Sequence, residues 1–149
     1  SRWPLEALKF ADKYLKERDC PLLIFQDKLN MLNKEPQENG TLDYCHENGI
    51  GFISFSPLAQ GLLTDRYLNG IPSDSRMAKE HFLKHSALTP ELLEQLKQWN
   101  AEAGERGETL AEMALAWILH QKGVTSVLVG ASSTAQLEKN MKCVHAKAF

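Results

Sequence analysis

Short apolar runs alternate with amphipathic segments along the whole chain. The runs at 21–25, 51–55 and 125–129 are too short for buried helices of ordinary length, and segments with helical spacing precede, separate and follow them. This order predicts a parallel sheet, because parallel neighbours need long crossover connections. The chain is therefore predicted to be an α/β protein with three parallel strands and flanking helices.

The helices are predicted from apolar stripes and cap residues. Residues 3–18 are predicted to form a helix whose apolar face comprises Leu5, Leu8, Ala11, Tyr14 and Leu15. Thr109 with Glu112 forms a capping box that opens a strongly apolar helix. Thr41 is predicted to cap a short helix that ends before Gly49. Two more helices are predicted at 90–105 and 133–145.

Three strands are few for a complete sheet. They leave two edges unpaired, which native proteins usually avoid. The chain of 149 residues also begins with Ser1. We therefore expect one partial domain, residues 1–149, that is a fragment of a larger barrel or sheet. Standing alone, it is expected to form a homo-oligomer through its exposed sheet edges. The polar stretch 70–88 is long for an uncovered loop and is typical of a lid or binding loop.

Composition and charge limit the classes of binding partner that the chain is expected to have. A net charge of −2 gives no reason to expect nucleic acid or an anionic membrane, and no apolar run approaches membrane-spanning length. Three widely spaced cysteines are typical of reduced thiols in a cytoplasmic protein. The five histidines are scattered, so no metal site is predicted.

Two strand exits carry residues suited to binding. Phe55 ends the second strand and is followed by Ser56 and Pro57, and the third strand leads to Gly130 and Ser132. Unpaired backbone N–H groups at helix starts bind phosphate, and an aromatic ring at a strand end stacks on a flat ring. These exits suggest a nucleotide site. Ordinary turn chemistry is the alternative that the residues alone leave open.

Longer motifs around these exits resemble the aldo/keto reductase family. Residues 55–64 read FSPLAQGLLT, and 126–132 read SVLVGAS. The similar segments are the end of the family's fifth strand (1–3), the sixth strand (25–26), the seventh-strand region (55–67 and 70–76), the next helix (109–117) and the eighth-strand signature (126–140). The resemblance is strongest to potassium-channel β-subunits and bacterial glyceraldehyde 3-phosphate reductases. It implies the C-terminal half of a (β/α)8 TIM barrel with its site at the C-terminal face.

The resemblance implies an NADP(H) site. Phe55 would stack on the nicotinamide ring, and Arg76 would pair with the 2′-phosphate. The implied set comprises Ser1, Arg2 and Gln26 near the carboxamide, Phe55 on the ring, Ser56, Pro57, Leu58, Ala59 and Gln60 along the pyrophosphate, Arg66 and Arg76 on phosphates, and Gly130, Ser132, Gln136 and Asn140 at the adenosine end.

The resemblance also implies an oxidoreductase. The parent protein would reduce small aldehydes or ketones by hydride transfer from NADPH. The family's catalytic Asp, Tyr, Lys and His come from its first four strands, so no residue here is assigned a catalytic role and the fragment is expected to be inactive alone. Two alternatives remain: a nucleotide-sensing regulatory subunit like the channel β-subunits, and an inactive half-barrel.

The role implied for Arg76 yields a first prediction. Arg76→Ala should weaken NADPH binding more than NADH binding, because only NADPH carries the 2′-phosphate and a charged hydrogen bond contributes about 1.5–3 kcal/mol. Fluorescence titration with both cofactors measures the difference. Equal losses for the two cofactors would remove this role.

Overall fold

The structure is a computed structural model that describes residues 1–73, 75, 78, 85–147 and 149. These residues form two compact units, one of Ser1–Pro57 with Trp117–Val129 and the other of Leu58–Ala116 with Gly130–Phe149. The elements in chain order are α1 (Leu5–Lys16), β1 (Ile24–Lys28), α2 (Glu35–Glu38), α3 (Thr41–Glu47), β2 (Gly51–Phe55), α4 (Pro90–Arg106), α5 (Leu110–Leu119), β3 (Val124–Val127) and α6 (Thr134–Met141).

The sheet lies in the first unit and is parallel throughout. Its strand order is β1-β2-β3, and the first pair runs in register from Ile24 opposite Gly51 to Lys28 opposite Phe55. The second pair shifts register between Phe52 and Ile53. The predicted fold class, three parallel strands flanked by helices as in part of a TIM barrel, is confirmed.

One face of the sheet is buried beneath helices. Alternation along the strands places Phe25 and Phe52 on this face, with their ring centroids 6.5 Å apart. The buried cluster around them comprises Leu8 of α1, Leu42 and Cys45 of α3, Ile118 of α5, and Leu29 and Ile50 beside the strands. The opposite face carries no helix of this unit, and its side chains Gln26 and Phe55 are half-buried.

The first strand begins three residues later than predicted. The apolar run 21–25 was expected to be a strand covered on both faces, but β1 spans Ile24–Lys28, with Leu23 75% exposed and Ile24 56% exposed. Its burial alternates, because only one face is covered by helices. The polar residues Gln26 and Lys28 therefore belong to the strand itself.

The predicted capping box is confirmed, and the predicted Thr41 cap is wrong. The Thr109 N–H donates to Glu112 Oε2 at 2.7 Å, and the Glu112 N–H donates to Thr109 Oγ1 at 3.2 Å. Gly40, with φ of 81°, occupies the cap position before α3. The N–H of Thr41 instead donates to the Asn39 side chain at 2.9 Å, so that Thr41 begins the helix.

A buried carboxylate joins α1 to α3. Asp12 Oδ2 accepts hydrogen bonds from Lys16 Nζ and from the Tyr44 hydroxyl, each at 2.8 Å. Desolvation by burial, followed by the Asp12 hydrogen bond and charge, raises the pKa of Tyr44 to about 12. Burial, with the nearby carboxylates of Asp12 and Asp27, raises the pKa of the Cys45 thiol to about 11.

The outer face of α1 remains apolar and exposed. It borders a cavity of about 480 Å³ lined by Trp3, Ala7, Phe10, Ala11, Tyr14 and Leu15. Phe10 is 71% exposed and stacks on Tyr14 with ring centroids 6.0 Å apart. Self-association of the chain stays a prediction. No helix in the described part of the chain has the length and apolar character needed to cross a bilayer.

The buried Cys45 thiol should make the protein less stable as the pH rises through the alkaline range. The free energy of unfolding should fall between pH 9 and 11, because Cys45 ionises near 9 in the unfolded chain but near 11 when folded. The contribution is fully present below pH 9 and lost as the pH rises. Urea unfolding across this range should show a shallower slope for Cys45→Ala and the wild-type slope for Cys20→Ala, whose thiol is exposed. Equal slopes for the two variants would contradict this assignment.

Candidate functional site

Polar and aromatic side chains lie at the carboxyl ends of β1 and β2, on the face opposite the helices of the first unit. Gln26 lies opposite Ile53 in the ladder, and Lys28 lies opposite Phe55. Because successive side chains alternate between faces, Gln26, Lys28 and Phe55 share the face opposite the helices of the first unit. An amide, an ammonium group and an aromatic ring are therefore available at one end of the sheet.

The N-terminal residues lie at the open edge of β1. The Arg2 N–H donates to the Gln26 carbonyl at 3.3 Å, as a neighbouring strand would. Arg2 Nε lies 3.9 Å from Asp27 Oδ1, a separation at the limit of an ion pair. Ser1 and Gln26 both border a cavity of about 320 Å³. The structure thus brings together the three residues predicted to surround a carboxamide.

Backbone strain is concentrated in the predicted site residues. Among the described residues, five other than glycine have positive φ: Arg2, Asp19, Ser56, Ala59 and Gln60. Four of these five belong to the predicted cofactor-binding set, and the fifth, Asp19, lies just beyond α1. Left-handed conformations cost side-chain-bearing residues about 1–3 kcal/mol each and cluster at ligand sites. The strain is a property of the backbone itself, and its role in cofactor binding stays a prediction.

The turn after β2 has the backbone pattern of an anion site. Leu58 has φ −97° and ψ 15°, and the following residues Ala59 and Gln60 have φ of 47° and 61°. A right-handed residue followed by a left-handed one turns consecutive N–H groups toward the same side, where they bind anions. Arg66, in the single helical turn Asp65–Tyr67, is exposed and adds positive charge to this segment of the second unit.

The start of α6 is held by its own side chains. Ser133 caps the helix by accepting the Gln136 N–H at 3.2 Å. Gln136 Oε1 accepts from the Ser132 N–H at 2.8 Å and from Ser132 Oγ at 3.0 Å. Ser132 and Gln136, both predicted site residues, therefore lie together, while the neighbouring Gly130 is exposed.

Asn140 carries a buried donor without a partner. The residue is 4% exposed, and its Nδ2 has no hydrogen bond within the described part of the chain. Leaving a buried donor unpaired costs about 1–3 kcal/mol. Three other buried polar atoms in the described part of the chain, Asp12 Oδ1, Asn33 Oδ1 and Thr41 Oγ1, are also unpaired. The contact of Asn140 with adenosine stays a prediction.

The remaining predicted residues differ in accessibility. Pro57 is buried and Leu58 is half-buried. Arg76 and part of the 70–88 loop lie outside the described residues. The assignment of single residues to single cofactor atoms stays a prediction. Sequence reasoning missed Asn30, a fully buried polar residue two positions after β1. A polar side chain between Leu29 and Met31 was the available signal.

α/β proteins, TIM barrels among them, place their sites at the carboxyl ends of parallel strands, where Gln26 and Phe55 lie here. The family model for the aldo/keto reductase family matches residues 1–148. The chain therefore belongs to the aldo/keto reductase family.

Individual relatives agree with this family. L-glyceraldehyde 3-phosphate reductase of Escherichia coli strain K12 is 47% identical over 140 residues, which are 91% of this chain and 40% of that protein. A probable voltage-gated potassium channel subunit beta of Arabidopsis thaliana is 38% identical over 125 residues, which are 82% of this chain and 38% of that protein. The chain thus spans about two fifths of these relatives' length.

A solved structure shares the fold. The crystal structure of the thermostable aldo-keto reductase Tm1743 with the inhibitor epalrestat matches with a TM-score of 0.66 and 21% identity, over 99% of this chain and 42% of that chain. At this identity the likeness shows the fold alone.

Strain in the turn after β2 can be tested by relieving it. Gln60→Gly should stabilise the chain by up to about 1 kcal/mol, because glycine adopts a positive φ at little cost. Gln95→Gly, within α4, should destabilise it by about 0.5–1 kcal/mol. Urea unfolding of both variants measures the two shifts. Destabilisation by Gln60→Gly would show that the backbone there is unstrained.

Proposed function

We propose that the chain binds NADP(H) as the C-terminal part of an NADPH-dependent aldo/keto reductase. The observation that carries the proposal is the concentration of left-handed backbone in Arg2, Ser56, Ala59 and Gln60. Each of these residues belongs to the set that the family resemblance assigns to the cofactor. Strain of this kind persists where a binding function requires a particular backbone conformation.

The residues present fit the chemistry of the cofactor. Nicotinamide is a flat ring bearing a carboxamide, and Phe55 and Gln26 offer a ring and an amide on one face of the first unit. In the second unit, the turn 58–60 and Arg66 suit phosphate. The unpaired Nδ2 of Asn140 suits an acceptor on adenine.

The chain's part in the reaction would be to bind and orient. When bound, NADPH supplies the hydride that reduces a carbonyl. Gln26 and Phe55 would fix the plane of the nicotinamide, and Arg76 would select the phosphorylated cofactor. We assign no proton-transfer group to this chain and propose that, by itself, it binds NADPH without oxidising it.

The substrate of the parent protein would be a small aldehyde. The 47% identity to an enzyme named for L-glyceraldehyde 3-phosphate supports a phosphorylated triose among such substrates. We also propose a cytoplasmic location, because the described cysteines are all free thiols.

A second candidate function is regulatory. The 38% identity to a probable voltage-gated potassium channel subunit beta favours a protein that senses nucleotide occupancy. Both functions share the cofactor site. NADPH oxidation by the parent protein with a small aldehyde supports the enzyme, and NADPH binding without turnover by the parent supports the regulator.

Cofactor binding by the chain is directly testable. NADPH titration followed by fluorescence should show binding, and Phe55→Ala should weaken it by about 2- to 12-fold, the equivalent of about 0.5–1.5 kcal/mol of aromatic stacking. Phe10→Ala removes an exposed ring on α1 and should leave the affinity unchanged. Absence of NADPH binding by the wild-type chain would overturn the proposed function.

A further inference from the structure

A fully buried asparagine joins the exits of β1 and β2. Asn30 is 0% exposed, and its Nδ2 donates to the Ser56 carbonyl at 2.9 Å. Its Oδ1 accepts the Leu32 N–H at 3.0 Å. Its backbone exchanges two hydrogen bonds with Asn33, each at 3.0 Å. Side chain and main chain together therefore fix Asn30 in one position, with one donor directed at β2's exit.

The carbonyl that Asn30 holds belongs to a strained residue. Ser56 has φ of 50° and directly precedes Pro57. A positive φ is unfavourable for a residue with a side chain, and a following proline restricts the backbone further toward extended conformations. The conformation of Ser56 therefore needs stabilisation from another residue, and the hydrogen bond from the Asn30 amide provides it.

A second buried hydrogen bond supports the same junction. Ser54 Oγ donates to the Leu29 carbonyl at 2.6 Å, one residue before Asn30. On the neighbouring strand, Leu128 directly follows β3, and its N–H donates to the Ser54 carbonyl at 2.8 Å. Ser54 and Asn30 thus tie the exit of β1 to that of β2 on both sides of Phe55, whose ring lies on the face opposite the helices of the first unit.

Packing alone does not account for an amide at this position. A buried amide is costly unless its donor and acceptor are both satisfied, and an apolar side chain would fill the same space without that cost. The Asn30 amide is satisfied only because it reaches Ser56 with its donor and Leu32 with its acceptor. The amide donor and acceptor of Asn30 therefore pair with the backbone groups of Ser56 and Leu32, as an apolar side chain could not.

We propose that Asn30 is a positioning residue for the cofactor site: it holds the strained Ser56 backbone so that Phe55 presents its ring to nicotinamide. The inference rests on the proposed function, and it assigns to this site a residue outside the set implied by family resemblance. Asn30 itself touches no cofactor and acts through Phe55 and Ser56.

The test replaces the donor and keeps the shape. Asn30→Asp retains the size and the Oδ1 acceptor but loses the donor to Ser56, and NADPH affinity should fall about tenfold. Asn48→Asp is the matched control. Asn48 Nδ2 also donates to a backbone carbonyl, that of Tyr44 at 2.9 Å, but is exposed on α3's end, so affinity should be unchanged.

A double-mutant cycle separates positioning from general stability. If Asn30 acts through the Phe55 ring, Asn30→Asp in a Phe55→Ala background should weaken NADPH binding less than about threefold, because coupled sites are not additive. A folded Asn30→Asp chain with wild-type affinity, or one losing about tenfold in both backgrounds, overturns the inference while leaving the proposed function intact.

The test remains decisive if the Asn30→Asp chain does not fold or if the wild-type chain does not bind NADPH. If Asn30→Asp does not fold by circular dichroism, Ser54→Ala takes its place with an expected loss of about threefold. Wild-type affinity in that variant overturns the inference. If the wild-type chain does not bind NADPH, the proposed function fails and the inference falls with it.

Discussion

The register between β1 and β2 is the constraint on which the rest of the structure depends. Side chains alternate between the two faces, so a slip of one residue would exchange the buried and uncovered sets. In the observed register, Phe25 and Phe52 enter the helix-packed core, and Gln26 and Phe55 face the other way. One pairing therefore sets both the packing of the core and the placement of the predicted site residues Gln26 and Phe55, and a slip would change both.

The helix layer enforces this register from the buried side. Leu8, Leu42 and Ile118 form a continuous cluster with the inward strand residues, at about 1.5–3 kcal/mol for each large side chain buried. Asp12 accepts two hydrogen bonds and links α1 to α3, so the helices are held to each other as well as to the strands. Rigid support of this kind is what a precisely oriented strand end requires.

Sequence reasoning located the second strand and the capping box because their signals are local. Gly51–Phe55 was predicted with the observed bounds, and Thr109 and Glu112 pair as their spacing indicates. The first strand was misplaced because its location is decided by pairing with β2, so that polar Gln26 and Lys28 enter the ladder while apolar Leu23 stays exposed. Pairing with β2 therefore determines the bounds of β1 more strongly than a continuous apolar run does.

The site was harder to predict for a related reason. Its residues could be named from family resemblance, but positive φ at Ser56, Ala59 and Gln60 is a property of the folded backbone that residue type does not announce. The same holds for Asn30, whose importance appears only when its partner 26 residues away is known. Local sequence patterns do not predict the long-range hydrogen bonds of buried polar groups.

Backbone strain distinguishes the predicted site residues from the core. A protein of this size has a net stability of about 5–15 kcal/mol, so each left-handed residue or orphaned buried donor, at about 1–3 kcal/mol, consumes a large share. Ser56, Ala59, Gln60 and the Nδ2 of Asn140 carry such costs, while the buried residues of α5 carry none of these. Left-handed residues of this kind cluster at ligand sites, whereas unpaired buried atoms also occur outside the predicted set, at Asp12, Asn33 and Thr41. For Ser56, Ala59 and Gln60, which all belong to the predicted cofactor-binding set, the proposed function supplies a reason to keep a strained backbone.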